Sequence, residues 1–140
     1  YWSMQEKSLP LTGTGDETRD FTYALDLVQG LIKATYYEEA VGKAFNLASG
    51  RETKIKDMIE MVNKATGNKT TITQYPARKW DTKKRLLASI ELAGKLIDYK
   101  PITSFDDGLK ANVDWFKINW KKIQLVTDFP VGMSSAVRKK

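Results

Sequence analysis

Short β-prone stretches alternate with longer segments of helical period along this chain, and that order constrains the fold more than any other feature. Phe21-Thr22-Tyr23 suits a strand. It runs into a helix whose expected inward face is Ala24, Leu27, Val28 and Leu31, the i, i+3, i+4, i+7 pattern. Ala44-Phe45-Asn46-Leu47-Ala48 reads as a buried strand stopped by Ser49-Gly50. After Thr53, an expected N-cap, Ile55, Met58, Ile59 and Val62 repeat with helical spacing until Gly67-Asn68. Thr70 to Tyr75 is β-branched and ends at Pro76, Ser89 to Ile97 reads as a short helix, and Ser104 with Asp107 opens a long one like a capping box. That last helix carries Leu109, Val113, Phe116, Trp120 and Ile123 on one stripe, and beyond Ile123 the period is lost. The alternation predicts an α/β fold, a small mixed or parallel sheet with packed helices. Residues 1–123 are expected to form one compact portion and residues 124–140 a C-terminal tail, frayed from Ser134.

With 140 residues, 41% of them hydrophobic and 29% charged, the chain lies in the ordinary globular range. It contains no cysteine and no histidine, which excludes a disulfide framework, a thiol nucleophile and histidine-based acid/base or zinc chemistry. No run approaches the ~18 apolar residues of a membrane span, so no membrane partner and a cytoplasmic location are expected. The net charge of +6 would attract polyanions. Lys79, Lys83, Lys84 and Arg85 cluster, as do Arg138-Lys139-Lys140, while the other charges interleave as on a solvated surface.

Gly13-x-Gly15 has the spacing by which a backbone approaches a pyrophosphate. A dinucleotide fingerprint, however, would follow a hydrophobic strand and open directly into an apolar helix, and here Thr18-Arg19-Asp20 intervenes, so a plain turn is expected. Tyr75-x-x-x-Lys79 matches a tyrosine and lysine one helical turn apart, but Pro76 is ill-placed inside such a helix and the spacing reads as accidental. Arg19 and Arg78 are sharper candidates, because planar guanidinium groups grip a diphosphate bidentately. Taken bare, each arginine is more often a surface or ion-pairing residue.

Their contexts carry a resemblance. Thr18-Arg19-Asp20-Phe21-Thr22-Tyr23-x-x-Asp26-Leu27, Ala44-Phe45-Asn46-Leu47-Ala48-Ser49-Gly50, Arg78-Lys79-Trp80-Asp81, and Leu96-Ile97-Asp98-Tyr99-Lys100-Pro101 with Ser104-Phe105-x-x-Gly108-Leu109 occur in order. Together they resemble segments of the extended short-chain dehydrogenase/reductases of the NAD-dependent epimerase/dehydratase family, UDP-glucose 4-epimerase-like. The resemblance covers roughly residues 8 to 122 and implies the C-terminal part of that fold. It implies that Arg19 and Arg78 contact a nucleotide diphosphate with Asp81 nearby, that Pro10, Leu11 and Thr12 lie beside the nucleobase, and that Arg85 matches a further arginine of decarboxylase-like relatives. Thr12 stands where an aromatic residue is usual, Trp80 replaces a glycine, and Asp98 replaces another, the last a mild change because aspartate tolerates the left-handed conformation.

The family's dinucleotide fingerprint and its catalytic tyrosine and lysine belong to a preceding N-terminal region that this sequence does not contain. NAD is therefore expected in a parent enzyme, bound by that region, and no cofactor, no catalytic residue and no activity are expected of these 140 residues alone. The expected partners are a UDP- or dTDP-sugar, the N-terminal NAD-binding domain and a second copy in a homodimer. The competing reading is a basic, non-enzymatic nucleic-acid-binding module using Lys79 to Arg85 and the C-terminal lysines, with Trp80 stacking on bases.

Overall fold

In the computed structural model, residues 1–127 are described, and they group into two compact units. The first contains residues 1–17, 54–84 and 109–127; the second contains 18–53 and 85–108. The elements are β1 (Pro10–Thr12), β2 (Thr18–Arg19), α1 (Ala24–Tyr36), β3 (Thr53–Lys54), α2 (Ile55–Thr66), β4 (Thr73–Tyr75), α3 (Glu91–Ile97) and α4 (Phe105–Val126), with short 3-10 turns at Ser3–Gln5 and Glu38–Ala40. β1 pairs with β4, and β2 with β3. This is the small α/β architecture the alternation predicts.

In the first unit β1 and β4 run parallel, with Pro10 opposite Thr73, Leu11 opposite Gln74 and Thr12 opposite Tyr75. Leu11 is buried. Helix α2 turns its expected stripe inward, with Ile59 buried and Ile55, Met58 and Val62 half-buried. It ends as expected: Gly67 is left-handed at φ 76°, and the Asn68 amide donates to the Asn63 carbonyl at 2.9 Å. The expected cap at Thr53 is corrected, since no side chain caps this helix and its first residue is Ile55. Two exposed-end donors are instead taken by backbone: Ile55 N–H donates to the Glu17 carbonyl at 2.9 Å and Lys56 N–H to the Gly15 carbonyl at 3.0 Å. Buried Asn68 ties the unit together, donating from Nδ2 to the Lys7 carbonyl and to Asn63 Oδ1, both at 3.0 Å, while its Oδ1 accepts from Thr70 N–H and Oγ1. Along residues 109–126 of α4 the expected stripe faces inward, with Val113 buried and the Trp120 ring 5.2 Å from that of Tyr1. The helix continues past Ile123 to Val126; the part of the expected tail beyond 127 lies outside the described residues.

The second unit is built around Ala93, Ile97 and Tyr99, with Ala34, Phe45, Leu47 and Ile90 packed against them. Three expectations are corrected here. Phe21-Thr22-Tyr23 is no strand: β2 lies at Thr18–Arg19, the Phe21 ring is 5.3 Å from Phe105, and Tyr23 is the N-cap position of α1. Ala44 to Ala48 is not a strand either, because it has no ladder partner among the described residues; Tyr99 Oη donates to the Ala48 carbonyl at 3.1 Å instead. Finally, the expected inward face of α1 is exposed, with Leu31 54% accessible. The inward face is Asp26 and Gly30, both buried. Asp26 Oδ2 accepts the Thr103 amide at 3.0 Å, and Gly30 lets the helix approach Leu47 and the Tyr99 ring closely. Asp98 is left-handed at φ 48°, as its place in the motif requires, and the Tyr99 amide donates across it to the Ala93 carbonyl at 3.3 Å.

Candidate functional site

In the first unit the end of β1, the glycine turn and residues 76–81 come together. Gly13 N–H donates to the Tyr75 carbonyl at 3.0 Å and Gln74 Nε2 to the Gly13 carbonyl at 2.9 Å. A Cβ on Gly13 would lie 3.8 Å from that of Ala77, the residue before Arg78. The turn itself is filled. Gly15 N–H donates to Glu17 Oε2 at 3.0 Å, and a Cβ on Gly13 would stand 3.0 Å from Glu17 Oε1. A carboxylate thus occupies the amide cradle that a pyrophosphate would need, so the turn does not fit a dinucleotide. Beside it, Lys56 Nζ lies 2.7 Å from Asp16 Oδ1; that hydrogen bond holds the Asp16 carboxyl below its ordinary range and raises the lysine.

Pro10 and Thr12, alternating with the buried Leu11, share one face of β1. Arg78 and Asp81 form a tight turn, with Asp81 N–H donating to the Arg78 carbonyl at 3.1 Å and the Arg78 guanidinium 3.9 Å from Asp81 Oδ2. Arg78 Nε is buried and has no hydrogen-bond partner. Trp80 is exposed, as are Lys79, Lys83 and Lys84. Tyr75 ends β4 and no helix follows it, so Tyr75 and Lys79 do not form a catalytic pair on one helical turn.

The other two arginine candidates lie in the second unit. Arg19 is half-buried in β2 and donates from Nη1 to the Thr18 carbonyl at 2.7 Å. Arg85 donates from Nε to both carboxylate oxygens of Glu52 at 2.8 Å, and Thr18 Oγ1 donates to Glu52 Oε1 at 2.6 Å. These bonds, Arg85 first, lower the Glu52 carboxyl and raise the guanidinium. Asp20 has a different task from its neighbour: its carboxylate accepts Ser49 N–H at 2.9 Å, Ser49 Oγ–H, and Gly50 N–H at 3.0 Å. Burial, then the nearby Asp26 and Asp20 carboxylates, push the Tyr99 hydroxyl above its ordinary value. The sequence does not single out Glu17 and Glu52, and it marks Asn68 only as part of a helix stop; the positions of the two glutamates beside glycines or between motifs are the one hint at them. Among the described residues no group of three or more acidic side chains could hold a metal, and no helix is long and apolar enough to cross a membrane.

Solved structures share this fold. Epimerase Mth375 from Methanothermobacter thermautotrophicus matches with a TM-score of 0.89 and 43% identity, over 92% of this chain and 38% of its own. The Bordetella bronchiseptica enzyme WbmF, solved in complex with NAD+ and UDP, matches with a TM-score of 0.75 and 34% identity, over 88% of this chain and 36% of its own. The fold is therefore part of that of the extended short-chain dehydrogenase/reductase epimerases. The sequence profile described as GDP-mannose 4,6 dehydratase matches residues 2–112, and the UDP-glucuronate 4-epimerase of Thermodesulfobacterium geofontis is 33% identical over 129 residues. This chain belongs to the NAD-dependent epimerase/dehydratase family. It covers 38% of the length of the Thermodesulfobacterium enzyme.

Proposed function

We propose that this chain is the nucleotide-sugar-binding part of an NAD-dependent sugar epimerase/dehydratase, with Arg19 and Arg78 as diphosphate ligands and Asp81 as a polar neighbour of the ligand beside Arg78. The observation that supports it best is the Arg78 Nε, a buried donor without a partner. Leaving such a donor unpaired costs about 1–3 kcal/mol, more for a charged group, so an incoming phosphate oxygen would relieve a standing penalty. Pro10, Leu11 and Thr12 would lie beside the nucleobase, Leu11 through its backbone because its side chain is buried. Arg85 is the weaker ligand, since Glu52 already neutralises it and would have to release it. The NAD chemistry belongs to a cofactor-binding domain, against which the exposed apolar face of α1 would pack, and these residues would contribute only positioning of the sugar. A cytoplasmic setting follows from that reading.

Calorimetric titration of the chain with UDP-glucose, beside a single-stranded oligonucleotide at two salt concentrations, tests the proposal. UDP-glucose is expected to bind, and Arg78→Ala to weaken it about tenfold or more, the loss of roughly one charge-assisted hydrogen bond. Strongly salt-dependent oligonucleotide binding with indifference to UDP-glucose would support the nucleic-acid module instead. Epimerisation by this chain without an added cofactor domain would overturn the division of labour.

A further inference from the structure

Arg19 stands between two neighbours that are each tied down through a side chain. Asp20 holds the Ser49-Gly50 turn, and Thr18 Oγ1 donates to Glu52 Oε1 at 2.6 Å. On the Thr18 side the tie closes into a ring. Arg85 donates from Nε to both Glu52 oxygens at 2.8 Å, its Nη2 lies 2.7 Å from Oε2, Arg85 forms a parallel backbone bridge with Thr18, and Leu86 N–H donates to the Thr18 carbonyl at 3.2 Å. That same carbonyl accepts the Arg19 guanidinium, from Nη1 at 2.7 Å. We propose that Glu52 is a positioning residue: through Thr18 it fixes the peptide against which the Arg19 guanidinium rests, and so presets that group for a diphosphate, given that Arg19 is the diphosphate ligand proposed above.

A glutamate suits this task, whereas as a ligand it would repel a diphosphate. The Arg85 fork cancels its charge, and its side chain is only 21% accessible, so it acts on its neighbours and not on an incoming anion. Both carboxylate oxygens are in use, one shared by the Thr18 hydroxyl and the guanidinium and the other taken by the guanidinium alone. A glutamine there would turn an NH2 group towards one of these donors. Successive side chains of a strand point to opposite faces, which puts the Glu52–Arg85 pair on the Thr18 side of β2 and not on the Arg19 side. Its effect on a ligand therefore passes through the Thr18 peptide. Without that support the long Arg19 side chain has to be ordered by the ligand itself, and ordering one such side chain corresponds to about three- to tenfold in affinity.

Calorimetric titration of the full 140-residue chain with UDP, in a double-mutant cycle of Glu52→Gln and Arg19→Ala, is the test. With Arg19 in place, Glu52→Gln should weaken UDP about three- to tenfold. In the Arg19→Ala background it should change the affinity by less than about twofold, whereas a role in stability alone would weaken UDP by the same factor in both. Thr18→Val, which breaks the hydroxyl link and leaves the Glu52–Arg85 pair, should reproduce the loss, and Thr18→Ser should keep the parent affinity. These two variants carry the test where Glu52→Gln does not fold. Equal or tighter UDP binding by Glu52→Gln, the latter meaning that a released Arg85 takes the phosphate, or the same loss in both backgrounds, would overturn the proposal and leave Arg19 a ligand. Arg19→Ala without effect on UDP would remove the ligand reading of Arg19, and this proposal with it.

Discussion

Gly30→Ala should destabilise the chain even though it replaces the poorest non-proline helix former by the best. In an exposed helix interior the exchange would gain about 1 kcal/mol. At Gly30 the new Cβ would stand 2.8 Å from Leu47 Cδ2 and 2.8 Å from Tyr99 Cε2. The leucine tip can rotate away. The ring cannot, because it is buried and its hydroxyl is tied to the Ala48 carbonyl at 3.1 Å. Overpacking of this kind costs roughly 1–3 kcal/mol, so the upper part of that range outweighs the helical gain and the net loss should be about 1–2 kcal/mol. That corresponds to a fall in Tm of roughly 3–8 °C for a domain of this size. Gly94→Ala is the internal control, since it too lies within a helix, but its Cβ would meet nothing nearer than the Tyr99 carbonyl at 3.8 Å. It should stabilise by about 0.5–1 kcal/mol. Urea denaturation of the two variants, followed by tyrosine and tryptophan fluorescence, reads both signs in one experiment. Gly30→Ala as stable as the parent chain would refute the close approach of α1 to Tyr99.

Asp20→Asn should lower the urea midpoint, because an amide group brings an N–H towards either the Ser49 or the Gly50 N–H and leaves one donor unpaired, at a cost of about 1–3 kcal/mol; Ser49→Ala, which removes only a hydroxyl, should cost less. Acid should also destabilise the chain in a defined window. Glu52 and Asp16 have folded-state pKa values lowered from 4.5 and 3.8, so the stability they contribute is present above those values and is lost as pH falls through the lower folded ones. Urea midpoints measured downwards from pH 6 should fall below about pH 4.5, and Arg85→Gln should flatten the Glu52 part of that fall; an unchanged pH profile would count against the pair.

The motif around Thr18 shows how far a family pattern reads in physical terms. Its three polar residues do separate jobs: Thr18 fixes Glu52, Arg19 carries the proposed ligand contact, and Asp20 clamps the Ser49-Gly50 turn. A sequence presents them as one block because they are adjacent, whereas their partners lie some thirty positions away. Helix α2 was legible because its boundary signals are local. Its apolar period, and the Gly67-Asn68 stop, need no information from elsewhere. Its start was not, since the donors at its first turn are taken by Glu17 and Gly15 carbonyls rather than by Thr53.

Periodicity by itself determined that α1, α2 and α4 are helices, that the glycine pair near residue 14 is a turn, and that the chain belongs with α/β proteins, because each of these follows from backbone preferences and spacing along the chain. Tertiary structure decided which side of α1 is inward, that residues 44–48 stay unpaired among the described residues, and that Glu17 rather than a ligand fills the turn. A helix with apolar residues on two sides can bury either. The choice fell to Gly30 and Asp26, whose small size and single hydrogen bond matter only once Tyr99 and Thr103 are brought alongside.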